Sequence, residues 1–377
     1  MQKLIRSILA LAAFALAVTA MLPADWPAWA KPEQSGAPRS RYVGAQTCAA
    51  CHTEIAEKLP DAVMTKALEK ADSCRILLEN PNLKFQLGKF AMRIERQGDK
   101  SIYTISDGKS EISTPIQYCF GQGKAGQTYV YEYNGVRYES RVSFYKEIKG
   151  LDITLGYAQD VPQTLTEAAG RQMSVDETRR CFNCHTTGAG EGSQFQISHA
   201  VPGVNCEACH GPGSEHVAAM RAGDTATGKT KIKKLSNLDG DDLTQTMCGS
   251  CHRSVEDVMA LPQRGGISNV RFQPYRIFNS RCYSADKRIG CTACHNPHDT
   301  LEQSAAFFDA KCLACHQSQA AQAGSGAGDK DRTARACKVG KKDCAGCHMP
   351  KIELPGAHFK FTDHRIRIVR EGAPFPN

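Results

Sequence analysis

Cys344-Ala345-Gly346-Cys347-His348 is one of seven pentads of the same form in this 377-residue chain. The other six are Cys48-Ala-Ala-Cys51-His52, Cys181-Phe-Asn-Cys184-His185, Cys206-Glu-Ala-Cys209-His210, Cys248-Gly-Ser-Cys251-His252, Cys291-Thr-Ala-Cys294-His295 and Cys312-Leu-Ala-Cys315-His316. Two thiols spaced by two residues, with histidine following at once, form the attachment pattern of c-type haem. The thiols add across the two vinyl groups of the porphyrin, and the histidine takes one axial face of the iron. At this composition chance would supply roughly 0.03 such pentads. Zinc sites pair Cys-X-X-Cys units but rarely place histidine after each, and a thioredoxin-type pair comes singly beside a βαβ pattern. Seven complete pentads therefore predict seven covalent haem c groups. Their thioether residues would be Cys48, Cys51, Cys181, Cys184, Cys206, Cys209, Cys248, Cys251, Cys291, Cys294, Cys312, Cys315, Cys344 and Cys347. The proximal ligands would be His52, His185, His210, His252, His295, His316 and His348.

The amino-terminal end agrees with that chemistry. Lys3 and Arg6 precede an apolar run from Ile8 to Leu22, and Ala28-Trp29-Ala30 offers small residues for cleavage before Lys31. Residues 1–30 read as a signal peptide, because the run is about 15 residues long where a membrane span needs about 20. Residues 31–44 read as a linker. No later apolar stretch is long enough to cross a bilayer, which predicts a periplasmic or secreted protein. Association with a membrane redox complex is compatible with this reading. The formal charge of +8 does not mark a nucleic-acid binder. Two propionates on each haem bring the oxidised holoprotein near neutrality and make the reduced one acidic.

About 50 mature residues per haem leave little for a core built of side chains alone. The expected fold is mostly α with extensive loops, wrapped round seven haems, plus a small antiparallel β insert in the amino-terminal part. A helix is expected from Ala45 to Leu68. The β insert is expected over about 85–157, with hairpins at Phe90–Arg96 with Ser101–Ile105 and at Thr128–Tyr133 with Val136–Val142. Asn134-Gly135 supplies the turn of the second hairpin. Tyr129, Tyr131, Tyr133 and Tyr138 would lie on strand faces. The expected division is a first-haem region with the insert at 45–170 and a six-haem domain at 171–377. Loops are expected at Gly188–Gly192 and Ala320–Lys330, and a solvated basic run at Lys229–Lys234.

Five histidines lie outside the pentads and are candidate distal ligands: His199, His216, His298, His358 and His364. His298 lies three residues after His295, so it cannot reach the opposite face of the same porphyrin and must serve another haem. The same reasoning applies, less tightly, to His216 after His210. Asp363 could orient His358 or His364 through the second ring nitrogen. Seven irons exceed five spare histidines, which makes Met64 a candidate sixth ligand for the first haem. Four further thiols remain, and chain order pairs Cys282 with Cys337 and Cys74 with Cys119 in an oxidising compartment.

The stretches Gly203-Val-Asn-Cys206-Glu-Ala-Cys209-His210-Gly-Pro-Gly-Ser-Glu-His216, Cys291-Thr-Ala-Cys294-His295-Asn-Pro-His298 and Cys344-Ala-Gly-Cys347-His348-Met-Pro-Lys351 carry a resemblance. So do Ser280-Arg-Cys282-Tyr and Phe361-Thr-Asp-His364. Together they resemble the multihaem cytochromes c of the hydroxylamine-oxidoreductase-like and doubled-CxxCH superfamily, over about 45–375. The resemblance implies bis-histidine haems in stacked and perpendicular pairs, with His216, His298 and His364 as distal ligands. The chain departs from the pattern at Ala62-Val63-Met64, where that family often has histidine. It also has no CxxCK pentad. The expected function is electron relay between a redox protein donor and an acceptor, without bond chemistry of its own. The alternative is a reductase or oxidase of a small nitrogen or sulfur oxyanion at one five-coordinate haem.

Overall fold

A computed structural model describes residues 41–191, 194–262, 266–283, 289–316, 337 and 339–376. The expected signal peptide, nearly all of the expected linker and the loop 320–330 lie outside them. The compact unit described below is Tyr42–Asn377.

One antiparallel sheet dominates it. Its strands are β1 (Leu68–Lys70), β2 (Asn82–Leu87), β3 (Phe90–Gln97), β4 (Lys100–Ser106) and β5 (Glu111–Phe120). β6 (Gln127–Tyr133), β7 (Val136–Tyr145), β8 (Gly150–Ile153) and β9 (Gly170–Gln172) complete it. β2 to β8 pair in sequence order, β1 adds to β5 and β9 adds to β7. β2 also approaches β8, so the sheet curls nearly shut in the manner of a barrel. The expectation of a mostly α chain with a small β insert is therefore wrong: nine strands spanning Leu68–Gln172 form the largest body of the molecule. The two expected hairpins are present as β3–β4 and β6–β7. Asn134 and Gly135 both adopt positive φ, 51° and 73°, as a type I′ turn requires.

Period-two patterning fills the inside of this sheet. β5 alternates exposed and buried residues along Ile112, Thr114, Ile116 and Cys119, and slips register between Ile116 and Tyr118. Phe90, Met92, Ile94, Tyr103, Ile105, Tyr129 and Tyr131 meet in one core with Ile76 and Leu77. Tyr131 Oη donates to the Ala169 carbonyl at 3.0 Å, fastening the helix Leu165–Ala169 to the core. The outer side of the same strands has a second use. Tyr118 and Phe120 point away from Cys119 and pack with Leu68, Phe182 and Cys181, which seats the second pentad on the sheet.

The expected helix from Ala45 to Leu68 is broken into Ala45–Ala49, Thr53–Lys58 and two 3-10 turns, Leu59–Asp61 and Val63–Lys66. Pro60 cannot donate an amide hydrogen bond, and the chain turns there. Beyond Gln172 the elements are helices, turns and three small antiparallel strand pairs, the last of them the hairpin of Lys351–Glu353 against Lys360–Thr362. That hairpin shares a small apolar cluster with Val270, Leu155 and Phe375.

Candidate haem-binding site

A helical turn brings positions i, i+3 and i+4 to one face, so each pentad needs only one turn to align its two sulfurs and its imidazole. Cys206–His210 and Cys344–His348 are complete short helices, while Cys181–His185 and Cys312–His316 end the longer helices Val175–His185 and Ala305–His316. Ser174 and Glu177 cap the former reciprocally. Cys248 closes a π-helical stretch, Asp242–Cys248, that runs into Gly249–His252.

Five imidazoles are oriented alike. The Nδ1 atoms of His185, His210, His216, His348 and His364 lie 2.8–3.0 Å from the carbonyl oxygens of Ala67, Lys233, Gly228, Arg367 and Thr362 respectively. A carbonyl at Nδ1 holds the proton there and leaves Nε2 as the free lone pair, the arrangement that metal-bound histidine uses. Burial pushes the pKa of His364 down to about 4, and lowers those of His185, His252, His295 and His298. Burial thus favours in these five rings the neutral form that ligation requires.

Three of these rings face a second ring. His52 and His216 have centroids 6.4 Å apart and planes 25° from parallel. His210 and His298 stand at 6.1 Å and 14°, and His295 and His364 at 6.2 Å and 43°. Metal–nitrogen bonds of about 2 Å, plus about 1.1 Å from each nitrogen to its ring centre, require a separation of roughly 6.2 Å. The spacing thus fits one iron between each pair. His295 departs from the Nδ1–carbonyl pattern: its buried Nδ1 has no hydrogen-bond partner among the described residues.

The pentads also touch one another. Sulfur is in hydrogen-bonding contact with sulfur at Cys48 and Cys206, Cys184 and Cys251, Cys248 and Cys291, and Cys312 and Cys344. These contacts join the first pentad to the third, the second to the fourth and the fourth to the fifth, and the sixth to the seventh, so the neighbours are not always consecutive in sequence.

The other expected residues are placed as follows. His358 has a positive φ of 48°, its Nε2 meets Asp152 Oδ2 at 2.6 Å, and its ring stands edge-on to Tyr145. It turns toward the sheet. Met64 is half-buried in its 3-10 turn, and its carbonyl accepts from Ala67 and Val204. His199 closes the turn Ile197–His199, and its side chain lies outside the described residues. Asp363 does not touch an imidazole. Its carboxylate is buried against Arg276, at 2.8 and 2.9 Å, and also meets Arg367. Cys74 and Cys119 are both fully buried and in contact with each other, whereas Cys282 is half-buried, Cys337 is exposed, and neither pair is bonded.

Sequence reasoning missed Arg276 as the partner of Asp363, and it assigned no role to two acidic groups, Glu207 and Asp309. Glu207 Oε1 accepts from Val43 N at 2.9 Å and Gly213 N at 2.8 Å, and Oε2 from Gly44 N at 2.8 Å. Asp309 accepts from Asp343 N and Cys344 N, both at 2.8 Å. Their only sequence trace is an acidic residue inside, or three residues before, a pentad.

Residues 153–211, which include the second and third pentads, match the family model described as cytochrome c554 and c-prime. Cytochrome c-554 of Nitrosomonas europaea is 31% identical over 87 residues, covering 21% of this chain and 37% of that protein. A crystal structure of the outer cell wall cytochrome OcwA is similar at a TM-score of 0.32 and 17% identity, over 56% of this chain and 37% of that one. That score is too low to speak for a shared fold. The chain spans little more than a third of the length of the curated relative it matches. These matches support a multihaem c-type cytochrome carrying covalent haem c.

Proposed function

We propose that the chain is an exported heptahaem cytochrome c that relays electrons between a redox protein donor and a redox protein acceptor, in the periplasm or outside the cell. The haems would be attached at all seven pentads. The observation that carries this reading is the three facing imidazole pairs, each spaced for one iron and each drawn from distant parts of the sequence. In this assignment His216 is the distal ligand of the first haem, His298 of the third and His364 of the fifth. His216 takes the place considered for Met64, and His358 is a fastening between the carboxy-terminal segment and the sheet. Haem supplies the one-electron chemistry. The chain supplies imidazoles, fixed ring orientations and burial, the groups that set reduction potentials. The broader relation to hydroxylamine-oxidoreductase-like cytochromes belongs to this proposal too, supported by the stretches around His216, His298 and His364.

Intact mass of the purified holoprotein, taken with a ferric EPR spectrum, tests it. Seven haem additions and low-spin bis-imidazole signals are expected. A mature protein lacking covalent haem would overturn the reading. A high-spin ferric signal that shifts on adding nitrite or hydroxylamine would instead assign the chain to catalysis at an open iron.

A further inference from the structure

Two buried carboxylates share a relation to the pentads. Glu207, 4% exposed, lies inside the third pentad, yet two of the three amides it accepts are those of Val43 and Gly44. Gly44 immediately precedes the helix Ala45–Ala49 that carries Cys48, and Cys48 touches Cys206. Asp309, 8% exposed, lies three residues before Cys312 in the sixth-pentad helix. Both of its oxygens accept from the amides of Asp343 and Cys344, where the seventh-pentad helix begins, and Cys312 touches Cys344. In both cases a carboxylate on one pentad's helix accepts from backbone amides at or just before the start of another pentad's helix, and a sulfur of each pentad meets the other. Helix-start amides have no partner within the helix, and an ionised acceptor makes the stronger hydrogen bonds.

We propose that Glu207 and Asp309 are positioning residues that set the separation and tilt of haems 1 and 3 and of haems 6 and 7. This rests on the haem reading above. Glycine permits the first of these grips. Gly44 has φ +81°, and a Cβ on Gly213 would lie 3.1 Å from Val43 Cγ2 and 3.3 Å from Glu207 Oε1. The backbone must therefore come close on both sides of the carboxylate. A side chain one methylene shorter keeps the charge but cannot span Val43, Gly44 and Gly213 together.

The experiment compares E207Q, E207D, D309N and the double variant E207Q/D309N as mature holoproteins. Haems are counted by intact mass, and coupling between neighbouring haems is read from the split Soret circular dichroism. With seven haems retained, E207Q and D309N each lose a different component of the split signal, and the double variant loses both. E207D follows E207Q, because reach rather than charge is what it lacks. Should E207Q not accumulate, E207D carries the same arm. Full-haem variants whose split signals superimpose on the wild type, or an E207D that behaves as wild type, overturn the proposal. A wild type without haem fails the underlying reading instead, and the mass distinguishes the two.

Discussion

The sheet of Leu68–Gln172 and the pentad-bearing segments that flank it are built on opposite principles. Among the described residues, the sheet encloses a continuous core of twenty buried hydrophobic side chains. The other two buried clusters hold three each, and both lean on the sheet or on the segment just after it. In the pentad segments buried groups include charged ones: Arg276 and Asp363 are at 0% exposure, and Glu207 and Asp309 are nearly as buried. Burying apolar side chains stabilises the first region by itself. The second is held by hydrogen bonds to backbone amides and carbonyls around the pentads. On the haem reading, one chain would contain a part that folds from its own side chains and a part completed by covalent haem.

The strongest challenge to that contrast is to produce the chain without haem maturation. Limited proteolysis should then leave a resistant fragment within Leu68–Gln172 while the pentad segments are digested. Digestion of the whole chain at one rate would show that the sheet also depends on haem. Next comes Asp363→Ala, which strands the buried Arg276 guanidinium and is expected to cost about 3–5 kcal/mol. The loss should appear in thermal unfolding followed through the haem bands. Burial alone would raise the Asp363 pKa, but Arg276, the Arg365 amide and Arg367 hold it below the usual carboxyl value. Its contribution is therefore complete above the ordinary carboxyl pKa and is lost as pH falls through the lowered one. Acid titration of the variant should show a flatter loss of stability over that range than the wild type.

Within the sheet, the contact of Cys74 with Cys119 predicts a disulfide under oxidising conditions, seen as a linked peptide pair under non-reducing conditions. The chain-entropy estimate for its loop of about 45 residues is about 4 kcal/mol. Reduction should lower sheet stability by that order and leave the haem bands unmoved. Two alkylatable thiols in the unfolded, unreduced protein would reject the bond. The smallest effect is expected from Ile105→Val in the sheet core, about 1 kcal/mol. Sheet unfolding should move and the reduction potentials should not, and a shifted potential would mean that the two regions are coupled more tightly than their cores suggest.

The pentads were legible because haem attachment is written within five consecutive residues. The β6–β7 hairpin was legible for the same reason, since Asn134-Gly135 fixes its turn locally. The extent of the sheet was not. Pro115 interrupts the pattern of β5 one residue before the register slip, and β1 and β9 are three residues each, recruited by pairing with distant strands. The geometric argument that His298 must serve a different haem from that of His295 needed only local spacing. Which haem it faces did not follow, because His210 lies far back in the sequence. Glu207 and Asp309 were hidden because their partners are backbone amides, which carry no sequence mark.

The facing of His52 and His216 also bears on how the protein is made. On the proposed pairing, a chain threading outward amino terminus first presents Cys48, Cys51 and His52 long before residue 216 emerges. The earliest haem to be attached is then among those that wait for a ligand, half-coordinated, until the third pentad has followed. Release of the chain before that point would leave an open iron at its front end. Biogenesis of such a molecule has to be timed to the arrival of its middle, whatever the order in which the thioether bonds are closed.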